Sequence, residues 1–262
     1  MTAADNPDAT AARAHIAPPA PERAAETEAD QVRRLMNGLL SMLSHDLRTP
    51  LSAISGWLFL LESDKLDAVA RKRALGKIKS NIDEQVQLID DVLLLSRCKT
   101  GHLELELAPV SAMAPLAAAL DAARPSATAG HVELEGPSGA DTAISADSAR
   151  LRRAFELLLT RAIKSTPSGG AVKTAVQARN GGVEISIVDN GRGISPAALP
   201  YLLDPLARSG EGSGRAHGMD KGLLLAHALV EAHHGRMQIH SEGEGMGATV
   251  TVELPAARRA AG

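Results

Sequence analysis

The stretch that decides the fold is Ser44-His45-Asp46-Leu47-Arg48-Thr49-Pro50-Leu51. Around it, large apolar residues recur in steps of three and four, the spacing that places side chains on one face of a helix. They are Met36, Leu40, Leu43, Leu47, Leu51, Ile54, Leu58 and Leu61. We therefore predict one helix from about residue 30 to residue 63. At about 100° per residue, His45 points away from this apolar stripe, toward water, and Thr49 shares its face.

A second run with helical spacing follows a short polar break and carries Leu75, Ile78, Ile82, Ile89 and Leu93. Gly101 is placed to end this helix, because glycine is common just after a helix C-terminus. Two helices joined by a short break form a hairpin with one apolar seam, which a lone hairpin cannot cover. The sequence predicts that two copies pair into a four-helix bundle. Packing of the hairpin on the C-terminal part of the chain is the alternative.

His45 is the first candidate for chemistry. A histidine that faces water has no packing role, and the neighbouring Asp46 can hold its ring in one tautomer with the other nitrogen available as a nucleophile. A plain surface histidine is the alternative. The octapeptide closely resembles the phosphoacceptor box of bacterial two-component sensor histidine kinases. The resemblance implies that His45 is phosphorylated on a ring nitrogen and that Asp46 orients and deprotonates it. It also implies that Thr49 positions the water that dephosphorylates a partner response regulator.

Composition excludes several classes of protein. The net charge of −3 gives no basic surface for nucleic acid or for a membrane. The single cysteine, Cys98, excludes an intrachain disulfide. No run approaches the roughly 18 apolar residues of a membrane span, and the acidic N-terminus does not resemble a signal peptide. These features predict a cytosolic protein without a membrane span.

After Gly101 the pattern mixes strands with helices. Leu103, Leu105 and Leu107 alternate with glutamates, as in a strand. Further helices are predicted at about 113–123, 147–164 and 222–233, and further strands at about 132–134, 172–178, 183–188, 237–241 and 248–254. The predicted fold class is α+β, with the helical hairpin followed by a two-layer α/β sandwich. The predicted domains are a disordered segment at 1–30, a dimerisation and phosphoacceptor domain at 31–101, an ATP-binding domain at 102–256 and a tail at 257–262.

A candidate nucleotide motif, Asp189-Asn190-Gly191-Arg192-Gly193-Ile194, follows the predicted strand at 183–188. A carboxylate at a strand end can accept a hydrogen bond from an amino group, and glycines let the backbone approach a flat ligand closely. An ordinary turn is the alternative for so short a motif. In its place along the chain, it resembles the first glycine box of the ATPase domain shared by histidine kinases, gyrase, Hsp90 and MutL. The resemblance implies that Asp189 binds the adenine amino group. It also implies a set of nucleotide-binding residues, namely Asp189, Gly191, Gly193, Lys164, Arg208, Gly218 and Gly222.

The sequence departs from the pattern of that family at three positions of its asparagine box and second glycine box. In the family, the helix that matches residues 147–164 here carries two asparagines, and this sequence has Leu157 and Arg161 at their positions. The second of these asparagines binds Mg²⁺ in the family. Leucine has no ligand atom and arginine only donates hydrogen bonds, so no metal ligand is assigned. The second glycine box has Asp220 where the family has glycine. We predict that Arg161 and Asp220 pair, partly close the pocket and weaken metal-dependent catalysis. The alternative is that Arg161 replaces the metal charge and gives Mg²⁺-independent binding.

The predicted function is therefore a homodimeric, cytosolic histidine kinase of a two-component phosphorelay. It would use ATP and Mg²⁺ to phosphorylate His45, transfer the phosphoryl group to the receiver domain of a response regulator, and also act as the regulator's phosphatase. The alternative is a pseudokinase or histidine phosphotransfer protein. Such a protein would keep His45 as a relay point and use the degenerate ATP domain for docking.

Overall fold

The fold is that of a computed structural model, which describes residues 47–63, 66–179, 181–199, 202–203 and 220–257. Within these ranges, the N-terminal part has two helices, residues 47–62 (α1) and Ala68–Lys99 (α2). Asp67 caps α2 by accepting a hydrogen bond from the N–H of Ala70 at 2.7 Å. The helix ends where the sequence predicts, because Thr100 is its C-cap and Gly101 follows with a φ of +70°. The Gln85 side chain joins the two helices by donating to the carbonyl of Leu47 at 2.9 Å.

The hairpin leaves large apolar side chains exposed in the single chain. They lie on both helices and are Leu51, Leu58, Phe59, Leu60, Val69, Leu75, Ile82, Val86, Ile89 and Leu93. The C-terminal end of α2 is covered, because Leu94 and Leu95 join the core of the following domain. None of the helices in the described ranges is long and apolar enough to cross a membrane.

Among the described residues, the second part of the chain contains a five-stranded mixed sheet and three helices. The strands of this sheet are β2 (Glu133–Gly139), β4 (Ala171–Arg179), β5 (Gly182–Asp189), β6 (Arg236–His240) and β7 (Ala248–Pro255), and the helices are α3 (Met113–Ala129), α4 (Ser148–Ser165) and α5 (Lys221–Ala232). The strands pair in the order β2-β4-β5-β7-β6, with β2 parallel to β4 and the other pairs antiparallel. Buried and less buried residues alternate along β4 and β5, because one face of the sheet packs against the helices. This confirms the predicted two-layer sandwich after a helical N-terminal part.

One strand prediction is wrong. Residues 103–107 form no strand, although leucine alternates with glutamate there. The strand β1 begins directly after this run, at Ala108–Ser111. It pairs antiparallel with β3, at Ala143–Ala146. Alternation alone does not make a strand, because a strand also needs a neighbour in register for its backbone hydrogen bonds. The short β3 has no comparable signal in the sequence.

Candidate functional site

A cavity of about 430 Å³ opens between α4 and the N-terminus of α5. We call it the α4–α5 cavity. Its lining residues are Leu157, Thr160, Arg161, Lys164, Ser165, Arg192, Leu202, Asp220 and Gly222. The five from α4 are spaced by three and four residues, so they share one side of that helix. The opposite side of α4 packs into the core, where Leu151, Ala154, Phe155 and Leu158 are buried.

Residues 189–194 form a turn that closes one end of the α4–α5 cavity, and we call it the Asp189 turn. Asp189 is the last residue of β5 and is only 5% exposed. Its carboxylate accepts a hydrogen bond from the N–H of Gly191 at 2.9 Å. Burial raises the pKa of the Asp189 carboxyl, while the Gly191 N–H and the positive charge of Arg161 oppose this effect. The N–H of Arg192 donates to the carbonyl of Ser165 at 3.0 Å, which fixes the turn to the C-terminal end of α4.

A second loop, residues 241–247, also contacts the Asp189 turn. Gly193 has a φ of +66°, and a Cβ added there would overlap the carbonyl oxygen of Gly243. The N–H of Gly247 donates to the carbonyl of Gly191 at 3.1 Å. The buried Ser241 hydroxyl accepts from the N–H of Ile194 at 3.0 Å and donates to the carbonyl of Gly247 at 2.6 Å. Gly193 therefore serves close packing of two loops, a role that differs from contact with a ligand.

Arg161 and Asp220 form an ion pair across the cavity. The Nε of Arg161 lies 3.0 Å from Oδ2 of Asp220, and the two side chains are 15% and 32% exposed. This confirms the predicted pairing. Asp220 is also the N-cap of α5, because its Oδ1 accepts from the N–H of Leu223 at 3.2 Å. Although the distance is short, the buried Nε of Arg161 lacks a partner in hydrogen-bond geometry within the described part of the chain.

Gly222 keeps α5 close to α4. A Cβ added at Gly222 would lie 3.3 Å from Oδ1 of Asp220 and 3.6 Å from Leu157. The first of these distances is tight, so a side chain here would press on the cap of α5. The N-terminus of α5 therefore faces the cavity with its backbone N–H groups, an arrangement that favours anions.

The residues present do not fit a magnesium ion. Mg²⁺ needs oxygen ligands in near-octahedral geometry. At the two positions where the family has asparagine, α4 has Leu157 and Arg161, neither of which supplies an oxygen. Among the described residues that line the cavity, Asp220 is the one carboxylate, and it already faces Arg161. A divalent ion roughly 4 Å from the guanidinium would be repelled by about 8 kcal/mol at an effective dielectric constant of about 20. In the described ranges, no group of three or more His, Cys, Asp or Glu side chains could hold a metal ion.

The structure brings part of the predicted site together. Lys164 and Gly222 line the cavity, while Asp189, Gly191 and Gly193 form the adjoining turn. Thr49 lies exposed on α1. The remaining predicted site residues, His45, Asp46, Arg208 and Gly218, lie outside the described residues.

Sequence reasoning gave no role to Thr160, Ser165, Arg192 and Leu202, which also line the cavity. A signal existed for the first two, since Thr160 is three residues from Leu157 and Ser165 is four residues from Arg161. Arg192 stands between the two glycines of the motif, where its guanidinium can reach a ligand in the cavity. Leu202 carries no local signal.

Two family models match this chain. Residues 25–101 match the His Kinase A (phospho-acceptor) domain, and residues 146–258 match the histidine kinase-, DNA gyrase B-, and HSP90-like ATPase. The histidine protein kinase DivJ of Caulobacter vibrioides is 33% identical over 220 residues, which are 82% of this chain and 36% of DivJ. The chain thus spans about a third of the length of that relative.

Solved structures show the same arrangement of elements. Full-length ShkA in complex with AMPPNP is 31% identical, with a TM-score of 0.60 over 85% of this chain and 46% of ShkA. Histidine kinase ThkA in complex with the response regulator protein TrrA is 16% identical, with a TM-score of 0.66 over 88% of this chain and 66% of ThkA. At that identity, the second likeness concerns the fold alone.

Proposed function

We propose, since the chain belongs to the two-component sensor histidine kinase family, that it places the γ-phosphoryl group of ATP on His45 and passes it to an aspartate of a response regulator. The observation that carries this proposal is the α4–α5 cavity beside the Asp189 turn. Arg161, Lys164 and Arg192 gather positive charge there, and the N-terminus of α5 faces the same space. ShkA, whose structure contains AMPPNP, supports the assignment of the nucleotide to this domain.

The proposed reaction has two transfers. In the first, a ring nitrogen of His45 attacks the γ-phosphorus of ATP, the N–P bond forms, the bond to the bridging oxygen breaks and ADP leaves. Asp46 accepts the proton that the ring loses. In the second, a carboxylate of the response regulator attacks the phosphorus and the nitrogen of His45 leaves. Phosphoryl transfer depends on positioning and charge neutralisation, and we assign the neutralisation to the cations of the cavity.

Four further parts of the proposal concern the surroundings of this reaction. The exposed apolar face of the hairpin is the surface on which two chains pair into a four-helix bundle. The partner for the second transfer is a receiver domain, as in the complex of ThkA with TrrA. Thr49, four residues after His45 in the sequence, positions water when the regulator is dephosphorylated. ATP and receiver domains place the reaction in the cytoplasm.

A second candidate function is favoured by the ion pair between Arg161 and Asp220. These side chains take the place of the metal ligand and of a glycine, so the domain would dock partners while His45 relays phosphoryl groups between receiver domains. The two candidates share His45 and differ in whether ATP supplies the phosphoryl group.

The test is incubation of the full chain with ATP labelled at the γ-phosphate. The kinase assignment predicts an acid-labile, alkali-stable label that His45→Ala removes and that His102→Ala, at an exposed histidine outside the cavity, leaves in place. Equal labelling of His45→Ala would overturn the assignment of His45.

A second measurement separates the two candidates. Asp189→Asn should abolish labelling by ATP, because it removes the carboxylate assigned to adenine. It should leave intact the return of phosphoryl groups from a panel of receiver domains phosphorylated with acetyl phosphate. If ATP labels neither the natural chain nor the variant, and receiver domains label both, the relay is the function.

A further inference from the structure

The charges that line the α4–α5 cavity are unequal. Among the described lining residues, Arg161, Lys164 and Arg192 are cations and Asp220 is the one anion, a formal excess of two positive charges. A nucleoside triphosphate without a bound metal carries about four negative charges at neutral pH, and its magnesium complex carries about half as many. At equal distances, the cavity therefore attracts the free polyphosphate about twice as strongly as the complex.

Asp220 occupies the places that a phosphate group would take. One of its oxygens accepts from the N–H of Leu223 at the start of α5, and the other lies 3.0 Å from Arg161. A phosphate at this point would meet the same two donors, the N-terminus of α5 and the guanidinium. The carboxylate is thus an internal anion in a site built for anions.

The ion pair between Arg161 and Asp220 can separate when a phosphate group enters the cavity. The buried Nε of Arg161 is within 3.0 Å of Asp220 but has no partner in hydrogen-bond geometry among the described residues. An unsatisfied buried N–H is costly, and a phosphate oxygen that enters the cavity could accept from it. Asp220 is about one-third exposed, which lets its carboxylate turn outward as a phosphate enters.

We infer that the α4–α5 cavity binds its adenine nucleotide as the metal-free polyphosphate, with Arg161 in the position where the family holds Mg²⁺. The inference rests on the proposed function, which supplies the nucleotide as the ligand. If the inference holds, Mg²⁺ weakens the binding of the nucleotide and does not strengthen it. The reason is that Mg²⁺ lowers the concentration of free nucleotide and adds positive charge beside Arg161. Magnesium then acts as a competitor of binding.

The experiment is isothermal titration calorimetry of the full chain with ATP, in excess EDTA and in excess MgCl₂ at matched ionic strength. We expect binding in EDTA to be about tenfold tighter than binding in MgCl₂. The double variant Arg161→Asn with Asp220→Gly restores the family residues and should bind more tightly when Mg²⁺ is present. Arg152→Asn is the matched control, since this exposed arginine of α4 pairs with Glu156 and does not line the cavity. It should behave as the natural chain does.

The outcomes separate this inference from the proposed function. Tighter binding of ATP with Mg²⁺ by the natural chain would overturn the metal-free site and leave the nucleotide function standing. Binding in neither solution by the natural chain, together with Mg²⁺-dependent binding by the double variant, would overturn the inference and favour the relay. Binding by no variant in either solution would overturn the ATP site itself. Circular dichroism melts of each variant exclude loss of fold as the cause.

Discussion

His233 lies buried between the last turn of α5 and the first turn of α4, and it is 2% exposed. Its Nδ1 is 2.7 Å from the carbonyl oxygen of Leu229, and its Nε2 accepts from the N–H of Asp147 at 3.1 Å. The neutral ring with its hydrogen on Nδ1 satisfies both contacts. Burial is the main cause that lowers the pKa of His233, and contacts with Leu229 and Asp147 only partly oppose it.

The lowered pKa of His233 predicts that stability falls as the solution becomes acidic. The unfolded chain binds this proton more readily than the folded chain, so the contribution is complete above about pH 6.5 and declines below it. It changes by at most about 1.4 kcal/mol per pH unit. His233→Gln should flatten the dependence of the free energy of unfolding on pH between neutral and mildly acidic solution.

Chemical denaturation at several pH values measures this effect, with the exposed His240→Gln as the control. His227, whose pKa burial also lowers, stays in both variants and cancels in the comparison. An unchanged slope in His233→Gln would show that the ring titrates alike in the folded and unfolded chain.

At the scale of elements, α4 is the helix that connects the parts of the molecule. One side packs into the core, a second lines the cavity, and a third meets α2. On the third side, Arg153 reaches Asp91 with its Nη2 at 2.7 Å from both carboxylate oxygens. Both side chains are about three-quarters buried, and Glu156 lies 3.4 Å from Nη1 of the same guanidinium. The contact fixes α2 to the helix that carries Arg161 and Lys164.

The Asp91–Arg153 pair should contribute measurably to stability because its geometry is bidentate and partly shielded from water. A double-mutant cycle with Asp91→Asn and Arg153→Gln should give a coupling energy of about 1 kcal/mol. The exposed pair of Arg124 and Asp121, at 3.0 Å, should give less than about 0.5 kcal/mol. Equal coupling in the two cycles would contradict the special role of the α2–α4 contact.

At the scale of the whole molecule, the hairpin and the sandwich differ in how well one chain covers them. The sandwich encloses its own core, whereas the hairpin presents Leu75, Ile82, Ile89 and Leu93 to solvent along α2. Exposed apolar patches of this extent mark an interaction surface. A second copy of the same hairpin presents a matching face, which is the basis of the proposed four-helix bundle.

The bundle predicts that a charge on this face dissociates the dimer. Ile82→Asp would bury an unpaired carboxylate in the seam, at a cost of several kcal/mol, and light scattering should then find monomers. Ser80→Asp is the control, because this exposed residue lies on the other side of α2. A monomeric natural chain would refute the bundle.

The sequence predicts the elements of the sandwich well where periodicity extends over several turns or strand residues. The helix predicted at 147–164 is α4 within one residue at each end, because Asp147 is a good N-cap and the apolar spacing is regular. The failure at 103–107 and the missed β3 have one cause. Whether a short alternating run becomes a strand depends on a distant partner, which no local pattern specifies.

In the candidate site, the Arg161–Asp220 pair could be predicted although the two residues lie 59 positions apart in the sequence. Both replace uncharged residues of the family pattern in the same region of the site, and their charges are opposite. Ser241 could not be predicted in this way. It acts by joining the Asp189 turn to the loop after β6, and a lone serine after a strand has no signal of such a contact.

Leu94 and Leu95 belong to α2 by sequence but to the core of the sandwich by packing. A recombinant fragment that starts at residue 102 would remove these two leucines and leave the part of the core that they cover open to water. A fragment that starts a few residues before Asp91 would retain both leucines and the contact with Arg153. The unit suited to expression, crystallisation and ligand titration therefore begins inside the last turns of the hairpin, ahead of the border that the change of sequence pattern suggests.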